Sequence, residues 1–205
     1  MRFISIRNRI ALMLMVVSLL LSISLGAFAQ LHEKKILMII PLKDFWDMEL
    51  TKLKEIFEQN GLVVTIASSV MKEAEGIFGT KINPDIVLNR VRASLYDAII
   101  FLGGEGAVQY WDDPLAHRLV KEALKEGKVL GAISIAPIIL ANTNVLKGKR
   151  ATVWPTLDNR LKCSVAIYTG NPVEVDGKIV TADSPNAAEE FGRTILNIVS
   201  PNMDQ

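Results

Sequence analysis

Cysteine is almost missing from this chain: Cys163 is the only one among 205 residues. An intrachain disulfide is therefore excluded, and so is a cysteine-built metal cluster. Histidine is nearly as scarce, with His32 and His117 alone, and no cluster of Cys, His, Asp or Glu has metal-ligand spacing. An excess of one charge is absent as well. The 23 basic and 22 acidic residues leave a formal +1, which offers no basic face to nucleic acid. The glycines follow neither the Rossmann nor the Walker phosphate spacing, so no nucleotide site and no cofactor is expected. Internal repeats and low-complexity tails are absent too. A chain of this length, half hydrophobic, can bury one substantial core, and one folded domain is expected.

One long apolar run is present. Ile10 to Leu25 follows Arg2, Arg7 and Arg9 and leads into Gly26-Ala27-Phe28-Ala29. A positive segment, an apolar segment and an A-x-A site make a secretory leader. The expectation is a leader over residues 1–29, cleavage after Ala29, one domain over 30–205, and a periplasmic or extracellular location. Left uncleaved, the run would tether the protein to a membrane. Without residues 1–29 the chain keeps 20 basic and 22 acidic residues, a formal −2. In an oxidising space without a disulfide, its stability must come from packing. Cys163, after the polar Asp158-Asn159-Arg160, reads as an ordinary small residue.

The remaining apolar runs are short. Lys35 to Pro41, Leu62 to Ala67, Ala98 to Leu102 and Lys128 to Ile133 have strand length, and their near-continuous hydrophobicity predicts strands covered on both faces. Helical faces alternate with them. Trp46, Leu50, Leu53 and Phe57 form one, closed by Asn60-Gly61, and Leu115, Leu119, Ala123 and Leu124 form another behind Asp113-Pro114. Phe191, Ile195 and Ile198 form a third after Pro185. Residues 68–85 read as a loop with a short hairpin and 86–93 as a brief helix. Asp176-Gly177, between Val173-Glu174-Val175 and Ile179-Val180-Thr181, signals a type I′ hairpin. The fold class is α/β: a doubly wound, mostly parallel sheet with helices on both faces, plus a small β-hairpin.

Ligands of such sheets bind beyond the carboxyl ends of the strands. Three loops fall there: the one after Pro41, the turn Gly103-Gly104-Glu105-Gly106, and Gly131 to Pro137. The last reads as strand, sharp turn and helix, with Ser134 at the turn and Pro137 in the first helical turn, where its missing N–H is tolerated.

These stretches together resemble the PfpI/ThiJ family of the class I glutamine amidotransferase-like superfamily. The resemblance is carried by Asp44-Phe45-Trp46-Asp47-Met48-Glu49-Leu50, the Gly103 to Gly106 turn, Asp113-Pro114, Ala132 to Pro137, Leu146 to Thr152 and Val173 to Ala182. It implies a flavodoxin-like fold, a homodimer, and a pocket at the elbow where family enzymes carry a cysteine nucleophile. Here Ser134 holds that position, and Ile135 stands where peptidase-like members carry histidine. A gapless alignment places Trp46 at the position of the family's glutamate; a one-residue shift would bring Asp47 to Ser134 instead. The resemblance also implies an oxyanion hole from the Gly104 and Ile135 N–H groups.

Serine needs a base within hydrogen-bond reach. His32 and His117 read as structural or solvent-facing, and Lys128, Lys147 and Lys149 read as solvated, although each could in principle pair with Ser134. Asp44, Asp47 and Glu49 read as first-turn acids that complement a helix dipole. Trp111 and Trp154 read as pocket lining or dimer contact, with ordinary packing as the bland alternative. The functional expectation is an exported domain whose elbow pocket, with Trp46 as an aromatic wall, is kept for an uncharged or weakly anionic small ligand or for structure. A hydrolase or glyoxalase-like enzyme working through Ser134 is the alternative, and a chaperone-like interaction protein the second.

Overall fold

The structure, a computed structural model, describes residues 33–201. The leader reading and His32 lie outside the described residues.

A seven-stranded sheet forms the centre. Its strands are β1 (Lys35–Ile39), β3 (Val63–Ser68), β6 (Ile86–Val87), β7 (Ala98–Phe101), β8 (Val129–Ile133), β11 (Val173–Asp176) and β12 (Ile179–Ala182), in the order β11-β12-β8-β7-β1-β3-β6. All neighbours pair in parallel except β11 and β12. The apolar runs are continuous because both faces are covered. Leu37, Ile39, Ile99, Phe101 and Leu130 face α2 (Pro114–Lys125) and α3 (Pro137–Asn142). Ile36, Met38, Ile100 and Ile133 face α1 (Asp47–Gln59) and α5 (Ala188–Val199). Successive strand residues thus feed opposite cores. Asp113 caps α2 by accepting from the Leu115 and Ala116 N–H groups at 2.7 and 2.9 Å, with Pro114 beside it in the first turn.

Strand order reverses between β1 and β7. The loops after these two strands and after β8 therefore open side by side at the carboxyl edge, the usual ligand position in such a sheet.

Two details differ from the sequence reading. Residues 86–93 are not a helix: Ile86 and Val87 pair with Ala67 and Ser68, and two single 3₁₀ turns follow, Leu88–Arg90 and Ala93–Leu95. So short a segment cannot offset the cost of nucleating an α-helix, whereas two more strand residues extend an existing edge. The stretch read as a loop with a short hairpin does hold one, β4 (Ala74–Gly76) against β5 (Lys81–Ile82), and β4 also pairs with β2 (Lys43–Phe45) to make a second sheet. The β11–β12 turn consists of Gly177 and Lys178, with positive φ at Gly177 alone. That fits type II′ rather than type I′. A last small sheet pairs β9 (Arg150–Ala151) with β10 (Ile167–Tyr168), next to α4 (Asp158–Cys163).

Candidate functional site

Ser134 follows β8 directly and has a φ of +61°, a left-handed conformation that costs a non-glycine residue roughly 1–2 kcal/mol. Two hydrogen bonds hold it there. Its N–H donates to the Ala182 carbonyl at 2.9 Å, and its own carbonyl accepts from the Trp154 N–H at 2.9 Å. The neighbouring strand also has to make room. A Cβ on Gly103 would lie 2.6 Å from the Ser134 Cβ and 2.9 Å from the Ile133 carbonyl oxygen, so only glycine lets the β7 loop pass the elbow. Gly103→Ala is expected to lower stability by roughly 2–3 kcal/mol through overpacking, read as a drop in urea midpoint at unchanged slope. A midpoint equal to the wild type's would show that the elbow yields freely.

A cavity of about 180 Å³ lies over this turn, lined by Trp46, Gly104, Glu105, Ser134, Ile135 and Trp154. Its walls come from the loops after β1, β7 and β8 and from the stretch after β9, the convergence that the sheet topology predicts. Gly104 has a φ of +94°, and a Cβ there would strike the Asp44 carbonyl. Neither the Gly104 nor the Ile135 N–H donates to another described backbone carbonyl. Gly104 and Ile135, the residues expected to supply the oxyanion donors, both line the pocket. Gly106 is not on it; its Cα packs against Lys43 and Pro41.

The acid at the elbow is Glu49. Its Oε2 accepts from the Gly103 N–H at 2.7 Å, so the carboxyl and the Ser134 side chain crowd the same glycine. The expectation that Trp46 replaces the family's acid is thereby corrected. Trp46 is the residue before α1 and forms pocket wall, and the carboxyl comes from the first turn of α1 three residues later. Asp47 does not face Ser134 either. Its Oδ2 and Oδ1 accept from the Phe78 and Thr80 N–H groups at 2.9 and 2.8 Å, tying the β4–β5 turn to the start of α1. These bonds hold the Asp47 carboxyl below its ordinary value against the opposing effect of burial.

Glu49 is fully buried, and this pushes its carboxyl up to about 8 although the Gly103 N–H pulls the other way. Its Oε1 and the Ser134 Oγ are both buried without a protein partner. At neutral pH the elbow thus holds a neutral carboxylic acid beside a neutral hydroxyl.

No base reaches Ser134 from the other candidates. His117 Nε2–H donates to the Trp111 carbonyl at 2.8 Å. Lys128 reaches the Ser94 carbonyl, Lys149 pairs with Asp176 at 2.8 Å, and Lys147 is exposed. Cys163 is exposed on α4 and does not border the pocket. Asp44 is exposed and Trp111 stands behind the elbow. Among the described residues no group of His, Cys, Asp and Glu could hold a metal ion, and no helix is long and apolar enough to cross a membrane. A wider open depression of about 550 Å³ runs along α2 from Asp112 to Lys125 and includes none of the elbow residues.

Glu49 had a sequence signal. It lies four residues before Leu53 and seven before Ile56, on the buried stripe of α1 rather than on its solvent face. A carboxylate on such a stripe is a candidate for function.

Residues 34–198 match the DJ-1/PfpI family model. The chain belongs to the DJ-1/PfpI family. Protein MJ0967 of Methanocaldococcus jannaschii is 37% identical over 202 residues, covering 95% of this chain and 98% of that protein. The glutathione-independent glyoxalase DJR-1.2 of Caenorhabditis elegans is 26% identical, covering 80% and 88%. Among solved structures, a ThiJ/PfpI domain protein from Brachyspira murdochii superposes with a TM-score of 0.80 at 28% identity, covering 82% of this chain and 98% of that one. This DJ-1/PfpI chain therefore has the flavodoxin-like α/β fold with a mostly parallel sheet that its residues imply.

Proposed function

We propose that the elbow pocket of this DJ-1/PfpI protein binds a small uncharged or weakly anionic carbonyl compound and does not turn it over. The observation that carries the reading is the pairing of Ser134 with Glu49. A serine hydroxyl reacts only when a base takes its proton, and the carboxyl that meets the Ser134 side chain at Gly103 is held neutral by burial. What remains is a recognition site. The Gly104 and Ile135 N–H groups, without a backbone acceptor, offer two donors, and the Trp46 and Trp154 side chains offer aromatic surface.

Pyruvamide, uncharged and with two carbonyl oxygens, is a suitable probe. Titration is expected to change tryptophan fluorescence and to shift the Gly104 and Ile135 amide resonances saturably. An unresponsive spectrum at millimolar pyruvamide would remove the binding reading.

One observation favours a second reading, an enzyme acting through Ser134 with Glu49 as its acid–base group: both side chains meet at Gly103. A relative of this chain is a glyoxalase. Under that reading, turnover rises with pH as Glu49 ionises near 8. Under the binding reading there is no such rise.

Export is part of the proposal, supported by the arginines, the apolar run and Ala27-Phe28-Ala29. N-terminal sequencing of the protein recovered from its native compartment is expected to begin at Gln30. A start at Met1 on membrane-bound protein would indicate a tether instead.

A further inference from the structure

Trp111 does not border the pocket, yet its indole Nε1–H donates to the Ile135 carbonyl at 3.2 Å. Its own position is fixed from three elements. The Trp111 carbonyl accepts from His117 Nε2–H on α2 at 2.8 Å and from Asn142 Nδ2 on α3 at 2.9 Å. The Arg160 guanidinium of α4 lies over the indole, 4.3 Å from the ring centroid, a cation–π contact. Asn142 also reaches Asp112 at 2.9 Å, which ties the start of this segment to α3.

The geometry of the peptide unit gives this arrangement a consequence. A trans peptide is planar, with its N–H and C=O pointing in opposite directions. The Trp154 N–H on the Ser134 carbonyl therefore fixes the direction of the Ile135 N–H, which belongs to the same peptide unit. The Trp111 indole holds the next carbonyl along, so both peptide planes flanking Ile135 are pinned by groups that need not touch a ligand. Without the indole, only the longer Ile138 N–H contact at 3.4 Å would hold the Ile135 carbonyl, leaving this plane free to tilt about the two soft dihedrals of Ile135.

We infer that Trp111 is a positioning residue: by holding the peptide plane on the far side of Ile135, it keeps the Ile135 N–H, whose own plane Trp154 holds, aimed at the elbow pocket. The inference rests on the reading of that pocket as a carbonyl-binding site. It assigns a role to a residue that never meets the ligand and joins the α2, α3 and α4 surfaces to the site through one indole.

The test is Trp111→Phe in the full-length protein, which keeps an aromatic plate beneath Arg160 and removes the N–H donor. In the free protein, the Ile135 amide resonance is expected to shift and its order parameter to fall, with the thermal midpoint nearly unchanged. Pyruvamide affinity is expected to drop about tenfold, the worth of one well-aimed hydrogen bond. An Ile135 amide identical to the wild type's overturns the inference, and a fall in thermal midpoint alone overturns it as well, since that marks a merely structural role. If Trp111→Phe folds poorly, Arg160→Ala loosens the same ring from an exposed position and is expected to broaden the Ile135 amide; an unmoved amide there also counts against the inference. If wild-type protein does not bind pyruvamide, the binding reading fails while the Ile135 amide still decides the role of Trp111.

Discussion

Ser134→Cys is expected to raise methylglyoxal consumption at pH 7.5 by on the order of 100-fold over the wild type, the usual worth of an activated nucleophile with an acid–base partner. The wild-type hydroxyl has no base, because the Glu49 carboxyl beside it is neutral at that pH. A thiol does not need a strong one. It ionises near 8.5 unaided and is intrinsically far more nucleophilic than an alcohol. The rest of the set is already in place: a carboxyl on the Gly103 N–H at 2.7 Å, and two N–H donors on the pocket wall. A side chain fits at residue 134 only because residue 103 carries no Cβ. No second substitution at Trp46 is required, since Trp46 is wall rather than a displaced acid. A folded Ser134→Cys protein that consumes no methylglyoxal would mean that the pocket does not present a carbonyl to residue 134.

The second large effect is on stability. Glu49 in the folded protein keeps its proton up to about pH 8, whereas in the unfolded chain it releases it near the ordinary 4.5. Between these values the native state binds one proton more than the unfolded state. Linkage then requires stability to fall as pH rises through that window, by a little over 1 kcal/mol for each pH unit, and to level off above it. Glu49→Gln removes the titration. Its amide oxygen can still accept from Gly103, while its NH₂ group takes over an unpartnered position. At pH 9 the variant is expected to be more stable than the wild type by roughly 3–5 kcal/mol, and at pH 4.5 to be equal or slightly weaker. Urea unfolding at pH 5, 7 and 9 reads this directly. Parallel curves for the two proteins across that range would show that Glu49 is not held protonated by the fold.

Much of the architecture is legible in the sequence because the physics is local and repetitive. Ile36 to Ile39, Ala98 to Phe101 and Val129 to Ile133 are continuous apolar runs, which only a doubly covered strand tolerates. The elbow is legible for a similar reason, since an apolar run that meets Pro137 three residues after Ser134 leaves little choice but a turn into a helix. Other features depended on distant partners. Residues 68–85 read as a loop with a short hairpin, but nothing local shows that the Asp47 carboxyl and the β2 edge tie that hairpin into a second sheet. Glu49 reads by itself as a first-turn acid complementing a helix dipole, the role its neighbours suggest. Its place on the buried stripe of α1 marks it as more than that, but its partner is set only when β7 delivers the Gly103 N–H. Trp111 shows the same limit, because its partner carbonyl lies 24 residues away on the elbow. Packing of a periodic face can be read from spacing, but a buried polar contact between loops cannot.

The central claim is that Ser134 sits in a binding elbow without a base to activate it. The measurement that meets it most directly is mass-spectrometric quantification of Ser134 in the wild-type protein after exposure to a serine-directed fluorophosphonate from pH 6 to pH 10. The account predicts labelling no faster than that of an ordinary exposed serine at every pH, with methylglyoxal consumption at the uncatalysed rate. Stoichiometric phosphonylation of Ser134, at a rate that climbs through pH 8 as Glu49 ionises, would contradict it and establish Glu49 as the base.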